Sequence, residues 1–243
     1  MSQQPFLVIE HEAQCPPAWF GEWLVEAGRE IDVRRPYRGD ALPDDLRDHG
    51  AMVVLGGSMD AYADETSPWL RTTKDLIRGA ASDGTPTLGI CLGHQLVAVA
   101  LGGKVEKNPL GQQMGVLPVG WLPAAATDEL FAPLMDARVG VLWNSDIVSD
   151  LPDQAVVLAR TDRHEIQVVR FGRRMWGVQT HPEVGAEIVG PWAEHDRADS
   201  LARGIDVDEY VGQIAAARDE LRSTWSRLAH RFAAFSRQVT PTW

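Results

Sequence analysis

The stretch Thr87-Leu88-Gly89-Ile90-Cys91-Leu92-Gly93-His94-Gln95 decides the architecture. Thr87 to Ile90 reads as a short buried strand, followed at once by a helix through Leu101 that Gly102-Gly103 terminates. A strand that turns into a helix at one residue strains that residue. It also needs small neighbours, because a side chain beside it would collide with the crossing backbone. Gly89 and Gly93 meet that need. The pattern is a nucleophile elbow, usually written with serine and here carrying a thiol. The turn lifts Cys91 clear of the sheet and sets its sulfur at a helix N-terminus, where aligned peptide dipoles favour a thiolate. A small cysteine buried in a tight strand–helix turn is the structural alternative.

Working outward from the elbow, the flanking segments repeat the strand–helix alternation. Phe6-Leu7-Val8-Ile9 is an apolar run suited to a buried strand. Pro16-Pro17 opens a helix with Trp19, Phe20, Trp23, Leu24 and Val25 on one side, ended by Gly28. Ile31 and Val33 alternate with charged residues in a second strand. Ala51 to Leu55 forms a third, and Pro68 starts a helix whose apolar residues are Trp69, Leu70, Leu76 and Ile77. This order predicts a mostly parallel open sheet with helices on both faces, an α/β fold.

Between Lys104 and Gln179 the pattern changes to short apolar runs around Val116, Val141, Val157, Val168 and Trp176. They predict added strands, several antiparallel, on the same sheet or in a small second one. From Asp208 the chain reads as helical. Leu221, Trp225, Leu228, Phe232 and Phe235 form one apolar seam, packed on its own domain or offered to another protein chain. Thr240-Pro241-Thr242-Trp243 reads as a loose end. The expected division is 1–190 for the site-bearing domain and 191–243 for a helical extension packed on it.

Composition narrows the function classes. The 243 residues include 34 Asp and Glu against 23 Lys and Arg, a net charge of −11, which disfavours binding to phosphate backbones. No run approaches the roughly 20 apolar residues of a membrane helix. The start, Met1-Ser2-Gln3-Gln4-Pro5, lacks a secretion pattern, and the two cysteines, Cys15 and Cys91, make no disulfide framework. The expectation is a cytoplasmic protein with neither nucleic acid nor membrane as partner. Composition leaves the oligomeric state undetermined.

A nucleophilic thiol needs a base and an oxyanion site. His181-Pro182-Glu183 follows the Trp176 strand and supplies a base candidate, with a carboxylate two residues on that can fix its tautomer. A surface turn or a metal site are the other readings, but no further His or Cys arrives with ligand spacing. Gly56-Gly57 follows the third strand, where glycine lets a backbone N–H approach a substrate carbonyl. The N–H groups of Gly57 and Leu92 are the natural oxyanion donors. The remaining histidines, among them His11, His94 and His195, read as packed or solvated residues.

Together, Gly56-Gly57, Gly89-Ile90-Cys91-Leu92-Gly93-His94-Gln95, Leu101-Gly102-Gly103 and Gln179-Thr180-His181-Pro182-Glu183 resemble a class I, triad-type glutamine amidotransferase domain. The likeness is greatest to the glutaminase part of GMP synthase and its stand-alone relatives. It covers roughly Phe6 to Val184. The resemblance implies a flavodoxin-like fold and a triad of Cys91, His181 and Glu183. It also implies substrate contacts from Gly56, Gly57, Leu92 and Gln95, and no cofactor or metal. The implied substrate is L-glutamine or another γ-glutamyl compound, and the implied product is ammonia for a separate synthase subunit, because nothing after Val184 resembles an ATP-binding domain. A γ-glutamyl hydrolase or peptidase using the same triad is the alternative, and a catalytically silent regulatory protein a third. Two positions depart from the family pattern. Thr180 stands where an aromatic residue is frequent, and Asn144 where many relatives have histidine.

Overall fold

The computed structural model describes residues 4–236, so Met1–Gln3 and the Thr240–Trp243 end lie outside the described residues. Seven strands make the main sheet: β1 (Phe6–Ile9), β2 (Ile31–Arg34), β3 (Ala51–Val54), β4 (Thr87–Ile90), β9 (Val156–Arg160), β10 (Ile166–Gly172) and β11 (Met175–Val178), in the order β2-β1-β3-β4-β11-β10-β9. The first five run parallel, and β10 and β9 extend the edge antiparallel. β5 (Lys104–Lys107) pairs with β8 (Asp146–Asp150), and β6 (Gln113–Pro118) with β7 (Val139–Asn144), in two small antiparallel sheets. The run ending at Val178 therefore joins the parallel set, in register with the strand that carries the elbow.

Strand alternation sorts the core into two layers. Phe6 and Val8 face one cluster, where Trp19, Phe20 and Trp23 of α1 (Ala18–Glu26) meet Leu221, Trp225, Leu228 and Phe232 of α6 (Arg218–Ala233). Leu7 and Ile9 face the other, filled by Leu70 and Ile77 of α2 (Trp69–Asp83) and Leu96 and Val97 of α3 (Leu92–Ala100). The α6 seam is thus core of its own fold, with Phe235 half-buried at its end. Val25 departs from the expected apolar face of α1 and is exposed. The helical tail is also divided: α4 (Ala186–Ala202) precedes α5 (Val207–Ala216), and a break at Ala217 separates α5 from α6. Among the described residues no helix is long and apolar enough to cross a membrane.

Candidate active site

The elbow is built as the glycine pattern predicts. Cys91 adopts φ +50° and ψ −107°, a conformation costly for a residue with a side chain. A Cβ on Gly89 would come within 2.5 Å of the Gly93 backbone, and one on Gly93 within 2.0 Å of the Val54 carbonyl oxygen. Both contacts are below any tolerable separation, so the crossing of β4 and α3 excludes a side chain at either position. The Cys91 N–H donates to the Val178 carbonyl at 2.8 Å, tying the elbow to the strand that leads to His181.

His181 and Glu183 arrive beside that sulfur. Nδ1 of His181 lies 2.7 Å from Oε1 of Glu183, and both side chains are almost wholly buried. With Nδ1 committed, Nε2 is the nitrogen left for the Cys91 sulfur, whose charge acts on the ring. Burial alone would lower the pKa of His181. Negative charge on Cys91 and Glu183 more than offsets it, and the imidazole is pushed up to about 10. The three predicted triad residues therefore lie together.

The predicted loop closes the other side. A Cβ on Gly56 would stand 3.2 Å from Cε1 of His181 and 3.6 Å from the Cys91 Cβ. One on Gly57 would meet the Leu92 side chain at 2.9 Å, which places this loop against the first residue of α3. Glu12 holds the loop in position, taking the Ser58 N–H at 2.9 Å and the Ser58 hydroxyl at 2.7 Å. Gln95 lines the cavity and donates to the Asp146 carbonyl at 3.1 Å and to Oε1 of Gln179 at 3.3 Å. Gln179 in turn donates to the Cys91 sulfur at 3.6 Å. Asn144 also donates to the Asp146 carbonyl, at 3.0 Å, while its own Oδ1 is buried without a hydrogen-bond partner.

These residues open into a cavity of about 600 Å³. Its outer wall comes from α4 and the turn after it, with Trp192, His195, Asp196, Asp199 and Arg203. Asp196 is fixed there by Nε1 of Trp143 at 2.9 Å and Nε2 of Gln112 at 3.1 Å. The Trp192 ring packs on His181 with centroids 4.9 Å apart, and its Nε1 donates to the Gln14 carbonyl. Sequence reasoning named neither Trp192 nor the α4 wall. The signal available was a lone tryptophan shortly after the His-Pro-Glu motif, which fits an ordinary core residue equally well. Thr180 is buried against Gly140 alongside Trp225, so a residue of α6 occupies the space next to the departure from the family pattern. Elsewhere, His11 and His94 are wholly buried, and burial lowers each to about 3, which keeps them neutral. Among the described residues no group of three or more His, Cys, Asp or Glu side chains is arranged to hold a metal ion.

The family model described as glutamine amidotransferase class-I matches residues 20–191. Glutamine amidotransferase-like protein YfeJ of Salmonella typhimurium is 30% identical over 192 residues, 78% of this chain and 80% of that one. Gamma-glutamyl peptidase 5 of Arabidopsis thaliana is 29% identical, over 68% of this chain and 66% of its own length. A glutamine-hydrolysing GMP synthase subunit from Methanopyrus kandleri is 33% identical, over 61% of this chain and 75% of its own length. Among solved structures, a glutamine amidotransferase from Methylobacillus flagellatus superposes with a TM-score of 0.86 at 26% identity, covering 99% of this chain and 98% of that one.

Proposed function

The chain belongs to the class I glutamine amidotransferase family, and from that premise we propose that it hydrolyses the side-chain amide of glutamine through a γ-glutamyl thioester on Cys91. The observation that carries this reading is the position of His181, 2.7 Å from the Glu183 carboxylate and packed with Cys91 around the same Gly56 position.

In the proposed reaction the Cys91 thiolate, whose proton already rests on Nε2 of His181, attacks the amide carbon. The N–H groups of Gly57 and Leu92 take the oxyanion. Collapse breaks the C–N bond, and His181 returns the proton to the departing ammonia. Water then attacks the thioester with His181 as base, freeing glutamate and the thiol. Glu183 keeps Nδ1 occupied and steadies the imidazolium throughout. Gly56 leaves room for the imidazole, and Gln95 lines the substrate side of the nucleophile. We take residues 1–190 as the catalytic domain and 191–243 as an extension that adds Trp192 and the outer wall. The ammonia would serve a separate acceptor enzyme, a role that the likeness to part of a GMP synthase supports.

A second reading, a γ-glutamyl peptidase, uses the same steps with a larger leaving group. The cavity volume and its α4 wall favour it, as does the likeness to a gamma-glutamyl peptidase. The deciding experiment measures glutamate release from glutamine and from a panel of γ-glutamyl dipeptides, with wild type and Cys91→Ala. Release from glutamine by wild type alone supports the first reading, and a wide preference for dipeptides supports the second. No release from any of them, even with cell extract supplying partners, would overturn both.

A further inference from the structure

The cavity contains a second thiol that the proposed hydrolysis leaves unused. Cys15 is one of only two cysteines in the chain, and both line this cavity and are buried. Gly56 lies between them: the position of its Cβ is 3.8 Å from the Cys15 sulfur and 3.6 Å from the Cys91 Cβ. The Cys15 sulfur therefore stands no more than about 7.4 Å from the Cys91 Cβ, the sum of those two distances, with no side chain on Gly56 to separate them. Rotation about the Cys15 Cα–Cβ bond would have to bring it to the roughly 2 Å of a bonded sulfur pair. The Cys15 thiol donates to Oε1 of Glu12 at 3.2 Å, so a proton acceptor is already in place. Burial, then the charges of Glu12, Cys91 and Glu183, holds Cys15 well above the usual thiol range, so it is a protonated thiol that loses its proton only as it reacts.

We propose that Cys15 is a resolving cysteine, which captures Cys91 as an intramolecular disulfide after Cys91 is oxidised by a hydroperoxide. In the first step the Cys91 sulfur attacks the O–O bond. An S–O bond forms, Cys91 becomes a sulfenic acid, and the peroxide is reduced to an alcohol or water with a proton from His181. In the second, the Cys15 sulfur attacks the Cys91 sulfur as its S–H proton is lost. The S–O bond breaks, and hydroxide leaves as water with that proton. The sum is two thiols and one hydroperoxide giving one disulfide, one alcohol or water, and one water. The disulfide blocks the nucleophile reversibly and protects it from the irreversible sulfinic and sulfonic acids.

The test uses the full chain, treated with stoichiometric hydrogen peroxide, alkylated, and mapped by mass spectrometry with and without dithiothreitol. A cross-linked peptide joining Cys15 and Cys91 is expected within one chain, with both thiols lost together and both restored by reductant. In Cys15→Ser, Cys91 is expected to pass on to sulfinic and sulfonic acid that reductant does not reverse. The proposal is overturned if wild type accumulates those acids at Cys91 while Cys15 stays alkylatable, or if cross-links form only between chains. The readout is chemical modification rather than turnover. A failure of the proposed hydrolysis would leave it intact, and its own failure would leave the hydrolysis standing.

Discussion

The N–H of Cys91 donates to the carbonyl of Val178 at 2.8 Å, one residue beyond the register that pairs Ile90 with Val178 across two parallel strands. The last rung of the β4–β11 ladder therefore joins the strained elbow to the segment that delivers His181 three residues later. A rigid sheet edge, rather than a loop, sets the distance between thiol and imidazole. Reacting groups held this way lose activity when displaced by fractions of an ångström.

Gly56→Ala is the direct probe of that spacing. The new Cβ, 3.2 Å from Cε1 of His181, forces the imidazole to give by a few tenths of an ångström. The expected outcome is a fall in kcat of about tenfold to a hundredfold with little change in KM. Steady-state kinetics with whichever γ-glutamyl substrate proves active, alongside circular dichroism to confirm the fold, checks it. An unchanged kcat would mean that the imidazole does not need its present position.

The raised pKa of His181 predicts where activity ends on the alkaline side. The imidazolium must survive to protonate the leaving group, so kcat/KM should hold through neutral pH and fall as pH approaches about 10. Glu183→Gln removes one of the two negative charges that raise it, and the alkaline limb should move to lower pH by about 1–3 units. Stability should respond with the same sign. A pKa raised on folding contributes stability that is complete below about 6.5 and is lost as pH rises toward about 10. A pH–rate profile of the variant that overlays the wild type would remove the charge argument.

His11 and His94 predict an acid sensitivity of opposite sign. Burial lowers both to about 3, so the unfolded chain binds protons that the folded one refuses between that pH and about 6.5. Each should reduce the unfolding free energy by about 2 kcal/mol between pH 7.5 and pH 5, and His94→Gln should remove part of that slope. Urea titrations at the two pH values measure it. Equal stability at both would show that neither ring is kept neutral.

Trp225 anchors α6 beside β7 and the segment that carries His181. It is wholly buried, donates from Nε1 to the Val139 carbonyl at 3.2 Å, and packs beside Gly140 and Thr180 next to His181. Trp225→Ala should cost about 3–5 kcal/mol of stability through the cavity it leaves. Trp225→Phe should retain most of the packing and most of the activity. Denaturant unfolding of the two variants separates volume from the hydrogen bond. An alanine variant as stable as wild type would show that α6 is not part of the core.

Much of the fold and the site was legible because it is dictated over short distances. The elbow is a local steric statement: Gly89 and Gly93 are required wherever a strand crosses the helix that follows it, and the 2.5 Å and 2.0 Å contacts express that requirement. Apolar periodicity likewise located β1, β3, β4 and the α6 seam, since it reflects which face each element buries. Other features were not legible. Val25 reads as part of the apolar side of α1 and is exposed, because at about 100° per residue it lies opposite the face made by Trp19, Phe20, Trp23 and Leu24. Trp192 and Glu12 carry no local signature, and each matters only through a residue brought to it from far along the chain.

The amino-acid sequence alone thus determined a thiol at a strained strand–helix turn, a histidine and glutamate two residues apart, and a glycine pair after a strand. Tertiary structure alone decided that β11 enters the sheet parallel to β4, that α4 walls the cavity, and that Cys15 lies across Gly56 from Cys91. The division has a physical cause. Turn sterics and side-chain period act between residues a few positions apart, whereas strand order and helix docking follow from how the whole set of apolar faces packs to exclude water.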